Sequence, residues 1–239
     1  MIFMFIDIHS HILPDIDDGP ETVTQSLELL ECAVKNGIDR IVATPHFYAS
    51  IHSLEQHTAK AKERFLELDS LIKENKLPLS ILLGYEVRYF DGISRIDSLD
   101  RLCINKTKVM LLELGNIPFT DTVIDEIMNL KYYGYTVILA HIERYAKTRG
   151  FNNIKKLIDS RVVYAQCNAS SFIEGPFRRT ANRLLKENLV SAVASDMHSV
   201  EKRPPKIREA MEKIENKLGA LKKDRLLRKT ERLYELMKY

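Results

Sequence analysis

The chain has no Cys-x-x-Cys pair, no glycine-rich nucleotide loop, no nucleophile elbow and no apolar run of membrane-spanning length. Each absence removes a class of chemistry. The three cysteines, Cys32, Cys103 and Cys167, are odd in number and far apart. That argues against a disulfide framework and suits free thiols in a reducing compartment. No cysteine is followed by arginine six residues on, since Ile38, Val109 and Ile173 hold those positions. The spacing used by cysteine-dependent phosphatases is therefore missing. Neither G-x-x-x-x-G-K-[ST] nor G-x-G-x-x-G occurs, so no phosphate-cradling nucleotide loop is indicated. No G-x-S-x-G elbow offers a serine nucleophile. The apolar start is interrupted at Asp7, too early for a signal-peptide core, and no window approaches the roughly 20 apolar residues of a membrane helix. The expected address is the cytoplasm. A net charge of +3 is too small to argue for nucleic acid or membrane, and the basic excess belongs to residues 219–239, which carry +4 alone.

What is present is one event repeated along the chain. An apolar, β-branched run ends abruptly in a metal-ligand residue. It happens first at Phe5-Ile6-Asp7-Ile8-His9-Ser10-His11, running on through Asp15, Asp17 and Asp18 to Gly19. It recurs at Thr44-Pro45-His46, at Tyr85-Glu86, at Leu112-Glu113, at Ala140-His141 and at Ser195-Asp196-Met197-His198. Positions i and i+2 of a strand share a face, so His9 and His11 can converge on one ion.

Between these ends the pattern alternates. Strands are expected over residues 3–8, 38–43, 79–84, 108–112, 136–140, 162–167 and 190–194. Helices are expected over 21–35, 53–75, 120–133, 152–160, 177–187 and 205–218, with 87–106 irregular. Alternating β and α predicts parallel strands joined by helical crossovers. Seven strand candidates favour a closed or nearly closed α/β barrel, where function sits at the C-terminal ends of strands. Residues 1–218 are read as the barrel. Residues 219–239 are read as a basic helical tail, either part of the same domain or an interaction arm. Met4 is an alternative start.

Five of the seven histidines end strand-like runs. The other two, His52 and His57, are read as ordinary surface residues. Imidazoles mixed with carboxylates, without thiolate, suit Zn, Mn or Fe. Several such ligands together can hold two or three ions, with one carboxylate bridging a pair. Paired divalent ions are a device for hydrolysis at phosphorus.

The ordered set Asp7-x-His9-x-His11, Thr44-Pro45-His46, Glu86, Glu113, Ala140-His141-Ile142-Glu143-Arg144-Tyr145 and Ala194-Ser195-Asp196-Met197-His198 resembles the polymerase and histidinol phosphatase (PHP) superfamily. Within it, Asp7 through Pro20, His141 to Tyr145, and Ser195 to His198 with Arg203-Pro204-Pro205 resemble the bacterial metal-dependent protein-tyrosine phosphatases of capsule and exopolysaccharide loci. The resemblance spans residues 5–218. It implies a distorted (β/α)7 barrel holding three divalent ions, Mn first, with Fe and Zn as alternatives. By the resemblance, His9, His11, Glu86 and Asp196 hold the first ion. Glu86 bridges to a second, completed by Glu113 and His141. Asp18, His46 and His198 hold the third. Asp17 is adjacent, and the resemblance favours Asp18. Arg144 and Arg203 match positions that face the phosphate, and Asp196 also belongs to the catalytic set. Asp7 either orients the histidines or caps its strand end. Arg88 is a candidate for the mouth, and Tyr48, Tyr85, Tyr89 and Tyr145 could stack on an aromatic substrate. The implied partner is a phosphotyrosyl protein, a bacterial tyrosine kinase controlling polysaccharide export. Two rivals stand beside this: a small-molecule phosphatase such as one for histidinol phosphate, and a non-catalytic regulatory module.

Overall fold

Strand alternation and two kinks shape the molecule. The structure is a computed structural model that describes residues 4–148 and 151–238. The order begins β1 (Phe5–Ser10), α1 (Val23–Lys35), β2 (Ile38–Ala43), β3 (His46–Phe47), α2 (Leu54–Glu74), β4 (Ser80–Leu83), β5 (Glu86–Arg88) and β6 (Val109–Glu113). It continues α3 (Asp121–Tyr132), β7 (Thr136–Leu139), α4 (Ile142–Thr148), α5 (Phe151–Asp159), β8 (Val163–Asn168), α6 (Ser170–Ile173), α7 (Arg178–Lys186), β9 (Ala192–Ala194), α8 (Ile207–Leu218) and α9 (Ala220–Leu236).

All pairings between these strands are parallel. One sheet runs β1-β2-β4 and the other β3-β5-β6-β7-β8-β9. The chain passes from the first sheet to the second twice, from β2 to β3 across Thr44-Pro45 and from β4 to β5 across Gly84-Tyr85. At Gly84 a Cβ would lie 2.6 Å from Ile104 Cγ1, so only glycine lets the kink pack so closely. Beyond β9 the chain returns to β1. Asp196 N–H donates to His9 O (3.0 Å) and His11 N–H to Met197 O (2.9 Å). The expected α/β class is thus found, as a curled, barrel-like parallel sheet wrapped by helices.

Period-2 alternation sorts the strand residues into two layers. Val109, Leu111, Ile138, Ala140, Ala192 and Ala194 join Ile6, Ile8 and Val42 in the inner core. Met110, Leu112, Val137, Leu139 and Val193 face the helices. The C-terminal end of α9 closes the bottom of the inner core with Leu233, Tyr234 and Met237. Arg40 of β2 holds α9 through a two-pronged bond to Glu231, at 2.6 and 3.1 Å.

Helix ends follow their local chemistry. Thr22 and Gln25 make a reciprocal capping box at the start of α1. Ser53 and Thr120 cap α2 and α3 through their hydroxyls. Differences from the sequence expectation lie in the short pieces. β3, β5, α4 and α6 are too brief to show a period, and 87–106 folds after β5 into 3-10 turns that bury Ile93, Leu99, Leu102 and Ile104. Residue 3, expected to open the first strand, lies outside the described residues.

Leu233 is 2% exposed. Leu233→Ala should therefore destabilise the fold by about 2–4 kcal/mol through lost burial and a cavity. Urea unfolding checks this, and a change under about 0.5 kcal/mol, the ordinary range for surface substitutions, would show that α9 does not plug the sheet.

Candidate metal centre

The inner row of each strand emerges at one end of the sheet, and there the polar residues converge. On β6 the row Val109, Leu111, Glu113 simply continues upward. On β1 it cannot, because Ile6 and Ile8 already point inward. A bulge solves this. Between Asp7 and Ser10, β1 spends one more residue than β2 spends between Ile41 and Ala43. The extra residue changes the parity, so His9 and His11 point inward after Ile8. Two other positions are re-aimed by left-handed backbone: His141 at φ 33° and Asp196 at φ 54°. Such conformations cost a non-glycine residue energy and cluster at functional sites.

The structure brings His9, His11, Asp18, His46, Glu86, Glu113, His141, Asp196 and His198 into one pocket. His9 Nε2 and His11 Nε2 are 3.3 Å apart. Each lies 3.3 Å from Glu86 Oε2, and 3.5 and 3.6 Å from Asp196 Oδ1. His141 Nε2 is 2.8 Å from Glu86 Oε1 and 3.7 Å from Glu113 Oε1. His46 and His198 approach Asp18 Oδ1 with Nε2 at 3.4 and 3.2 Å. His46 Nδ1 is 2.9 Å from Glu86 Oε2. Among the described residues, ligand atoms fall into three groups of metal-binding compactness: His9, His11 and Asp196; His46, Glu86 and Glu113; and His11, Asp18, His46 and His198.

The hydrogen bonds around this pocket fix which nitrogen faces inward. Gln166 Oε1 accepts His141 N–H at 2.7 Å, so it also accepts from His9 Nδ1–H at 3.1 Å. His11 Nδ1 donates to Asp17 at 2.6 Å and His198 Nδ1 to the Asp196 carbonyl at 3.0 Å. With Nδ1 protonated and engaged, the Nε2 lone pair of each ring is left for a cation. Among the described residues, three ligand-position atoms are buried without a hydrogen-bond partner: Glu86 Oε2, His46 Nδ1 and His198 Nε2. Left alone they would be costly. Two nitrogens bound to one Zn-sized ion at 2.0–2.1 Å and near-tetrahedral angle lie about 3.4 Å apart, close to the His9–His11 separation. The donor set fits divalent ions.

Asp17 and Asp18 divide their work. Asp17 accepts from the His11 ring, from His46 N–H (3.0 Å) and from Gly19 N–H (3.0 Å), which orders the loop. Gly19 is required there, because a Cβ would lie 2.6 Å from His11 O. Asp18 is the partly exposed carboxylate that meets the two rings. Asp7 touches no imidazole in the hydrogen-bond network. It accepts from the N–H of His9 and from the N–H and hydroxyl of Ser195, tying the β1 end to the Asp196 turn. Its capping role is therefore the one observed.

Charge follows geometry. Burial pulls the His11 imidazole down, but the Asp17 carboxylate outweighs it and pushes the ring up to about 10. His46 rises to about 9, burial being outweighed by the neighbouring carboxylates of Asp18 and Glu86. Burial would raise Asp17, but His11 holds it down at about 2. Asp7, fully buried, is pushed up to about 6 by desolvation.

Arg144 and Arg203 stand at the rim, partly exposed, and both reach Asp196 Oδ2, at 3.1 and 2.6 Å. Glu143 fixes α4 beneath Arg144 by accepting from Asn168 N–H and the Ser171 hydroxyl. Arg88 binds Glu113 at 2.5 Å. A cleft of about 410 Å³ leads away from Asp18 and His198 between residues 18–28 and 198–202.

Sequence reasoning passed over Gln166 and Asn168. Gln166 Nε2 donates to Asn168 Oδ1 (2.9 Å), and Asn168 Nδ2 donates to Asp196 (2.6 Å). They sit at i and i+2 near the end of β8, a signal hidden because amides are not metal-ligand types. The surface reading of His52 and His57 fails for His57, which is 8% exposed. Its ring stacks on His52 at 4.1 Å and meets the edge of Phe47, and burial pulls its imidazole down to about 4. The rings of Phe47 and Tyr85 lie against the start of α2 and cover it, which local polarity could not reveal.

The chain is similar to known proteins in sequence and in structure. The family model described as capsular polysaccharide synthesis, CpsB/CapC, matches residues 5–233. The chain is 32% identical over 227 residues to tyrosine-protein phosphatase CpsB of Streptococcus pneumoniae, covering 91% of this chain and 92% of that one. It is 34% identical over 208 residues to the putative tyrosine-protein phosphatase CapC of Staphylococcus aureus, covering 83% and 79%. Its structure is similar to crystal structures of YwqE from Bacillus subtilis and CpsB from Streptococcus pneumoniae, described as unique metal-dependent tyrosine phosphatases. The TM-score is 0.84 at 29% identity, covering 98% of this chain and 94% of that one.

Two expectations follow. Gln166→Leu should lower metal affinity about 10–100-fold by releasing the His9 ring, read by calorimetric titration with Mn²⁺; unchanged affinity would remove Gln166 from the site. In metal-free protein the raised values of His11 and His46 stabilise the fold fully below about pH 6.5, the unfolded imidazole value, and that stability is lost as pH rises through about 9–10. Chelator-treated protein should melt at falling temperature from pH 6.5 to 10, and metal-loaded protein should not. A flat or rising metal-free profile would contradict the assignment.

Proposed function

Since the chain belongs to the CpsB/CapC family of capsular polysaccharide synthesis proteins, we propose that it is a metal-dependent protein-tyrosine phosphatase. Its substrate is the phosphotyrosine of a bacterial tyrosine kinase that regulates polysaccharide export. Its framework is counted as a distorted (β/α)7 barrel, with β2 continuing into β3 and β4 into β5. The single observation carrying this reading is the convergence of four imidazoles on the buried Glu86 carboxylate: His9, His11 and His46 at Oε2, and His141 at Oε1.

Three divalent ions are assigned to the pocket, Mn with Fe and Zn as alternatives. His9, His11, Glu86 and Asp196 hold the first; Glu86, Glu113 and His141 the second; Asp18, His46 and His198 the third. When bound, such ions supply Lewis acidity, lower the pKa of water toward neutrality and offset phosphate charge. Arg144 and Arg203 clamp the phosphate oxygens at the rim, where guanidinium forks match them in a bidentate way. Asp196 holds both guanidiniums in place before substrate arrives, which lowers the cost of reorganisation. Gln166, Asp17 and the Asp196 carbonyl keep the histidine rings in one tautomer. The substrate's phosphorus needs no protein nucleophile, in keeping with the missing cysteine motif.

The test is turnover by metal-supplemented protein of a phosphotyrosyl peptide against histidinol phosphate. The peptide should be preferred, and strong preference for histidinol phosphate would reject the reading. His141→Ala and Asp196→Ala should each abolish turnover, while Lys131→Ala, on α3, should match wild type. Activity near wild type in either of the first two would contradict the ligand assignment.

A further inference from the structure

Four tyrosines flank the metal-ligand positions, and the structure separates them sharply. Tyr85, Tyr89 and Tyr145 are buried at 3%, 7% and 3% exposure, so none can present a ring to an incoming molecule. Tyr145 is engaged inside, with its hydroxyl 3.1 Å from His141 Nδ1 and accepting Leu114 N–H. Tyr48 alone of the four is partly exposed. Its ring stacks on the ligand-position His46, with centroids 5.1 Å apart and planes 25° apart. The Arg88 guanidinium, tethered to Glu113, stands 5.8 Å from the Tyr48 centroid.

Tyr48 is also mounted rigidly. Its carbonyl accepts from the N–H of Ile51 (3.1 Å) and His52 (2.9 Å), closing a tight turn. Its own N–H donates to His52 Nδ1 at 3.1 Å. His52 in turn stacks on buried His57 at 4.1 Å. The loop thus anchors one aromatic ring at the edge of the pocket, beside the Glu113 flank, while Arg144 and Arg203 occupy the Asp196 flank.

Resting on the phosphatase reading above, we propose that Tyr48, walled by Arg88, is the platform that contacts the aryl group of an aryl phosphate and so determines selectivity for phosphotyrosine over alkyl phosphates. Both surfaces suit the task. Aromatic rings pair in offset or edge-to-face geometry, and a guanidinium stacks on an aromatic plane. A platform fixed before binding loses little entropy when the substrate docks. An alkyl phosphate has the same head group but no ring to place there.

The experiment compares phenylphosphonate with methylphosphonate, which share a head group and differ in the ring. Calorimetry measures both on metal-loaded wild type, Tyr48→Ala and Tyr48→Phe, with metal content determined for each. Tyr48→Ala should weaken phenylphosphonate about five- to ten-fold, the size of an aromatic contact, and leave methylphosphonate unchanged. Tyr48→Phe should keep the wild-type preference. On phosphotyrosyl peptide, Tyr48→Ala should raise KM with kcat little changed. Equal weakening of both phosphonates, or of neither, overturns the platform. Wild type that prefers phenylphosphonate through Tyr48 yet fails to hydrolyse phosphotyrosyl peptide keeps the platform and overturns the phosphatase reading.

Discussion

The buried carboxylate of Glu86 is the group around which the rest is arranged. It is 1% exposed, and its Oε2 faces the nitrogens of His9, His11 and His46 without a hydrogen bond to any of them. A carboxylate in such a place is expensive unless opposite charge surrounds it. Burial would raise its pKa, yet the neighbouring imidazoles hold it well below the ordinary carboxylate value. With no ion bound, the raised imidazoles of His11 and His46 supply that charge as protons. In the reading advanced above, ions replace them, so metal binding and proton release are two sides of one equilibrium.

Around that centre a supporting network removes the freedom of each ring. Gln166 serves two elements at once, accepting from the His9 ring and the His141 backbone. Asp17 serves the His11 ring and the turn into β3. Asp7 joins the first strand to the last. These contacts link residues up to 188 positions apart in the chain, so the centre is preorganised by the curling that brings the end of β9 beside β1. The strained backbone at His141 and Asp196 is held by the same contacts.

In the proposed reading, the rim carries the chemistry of recognition. Arg144 and Arg203 converge on Asp196 from different elements and stay partly exposed. The aromatic surface of Tyr48 lies on the other flank. Phosphate and ring would thus be read by separate walls of one pocket, with the cleft beside Asp18 and His198 leading outward.

Much of this was legible in the chain itself. Apolar runs fixed the long strands, and 3.6-residue periods with Thr22, Ser53 and Thr120 fixed the long helices, because local propensity and burial agree there. The strand-end histidines and carboxylates stood out because a lone apolar run has no reason to stop in such residues. What lay outside local pattern was decided by tertiary contact. The bulge that turns His9 and His11 inward exists only against the register of β2. The separate duties of Asp17 and Asp18 depend on which ring each one meets. Gln166, the burial of His57 and the exposure of Tyr48 are set by neighbours distant in the chain or on another element. Sequence determined which donors were available and roughly where the strands ended. The curled sheet decided which atoms face one another, since a strand's period fixes its faces but only its neighbours define what lies across them.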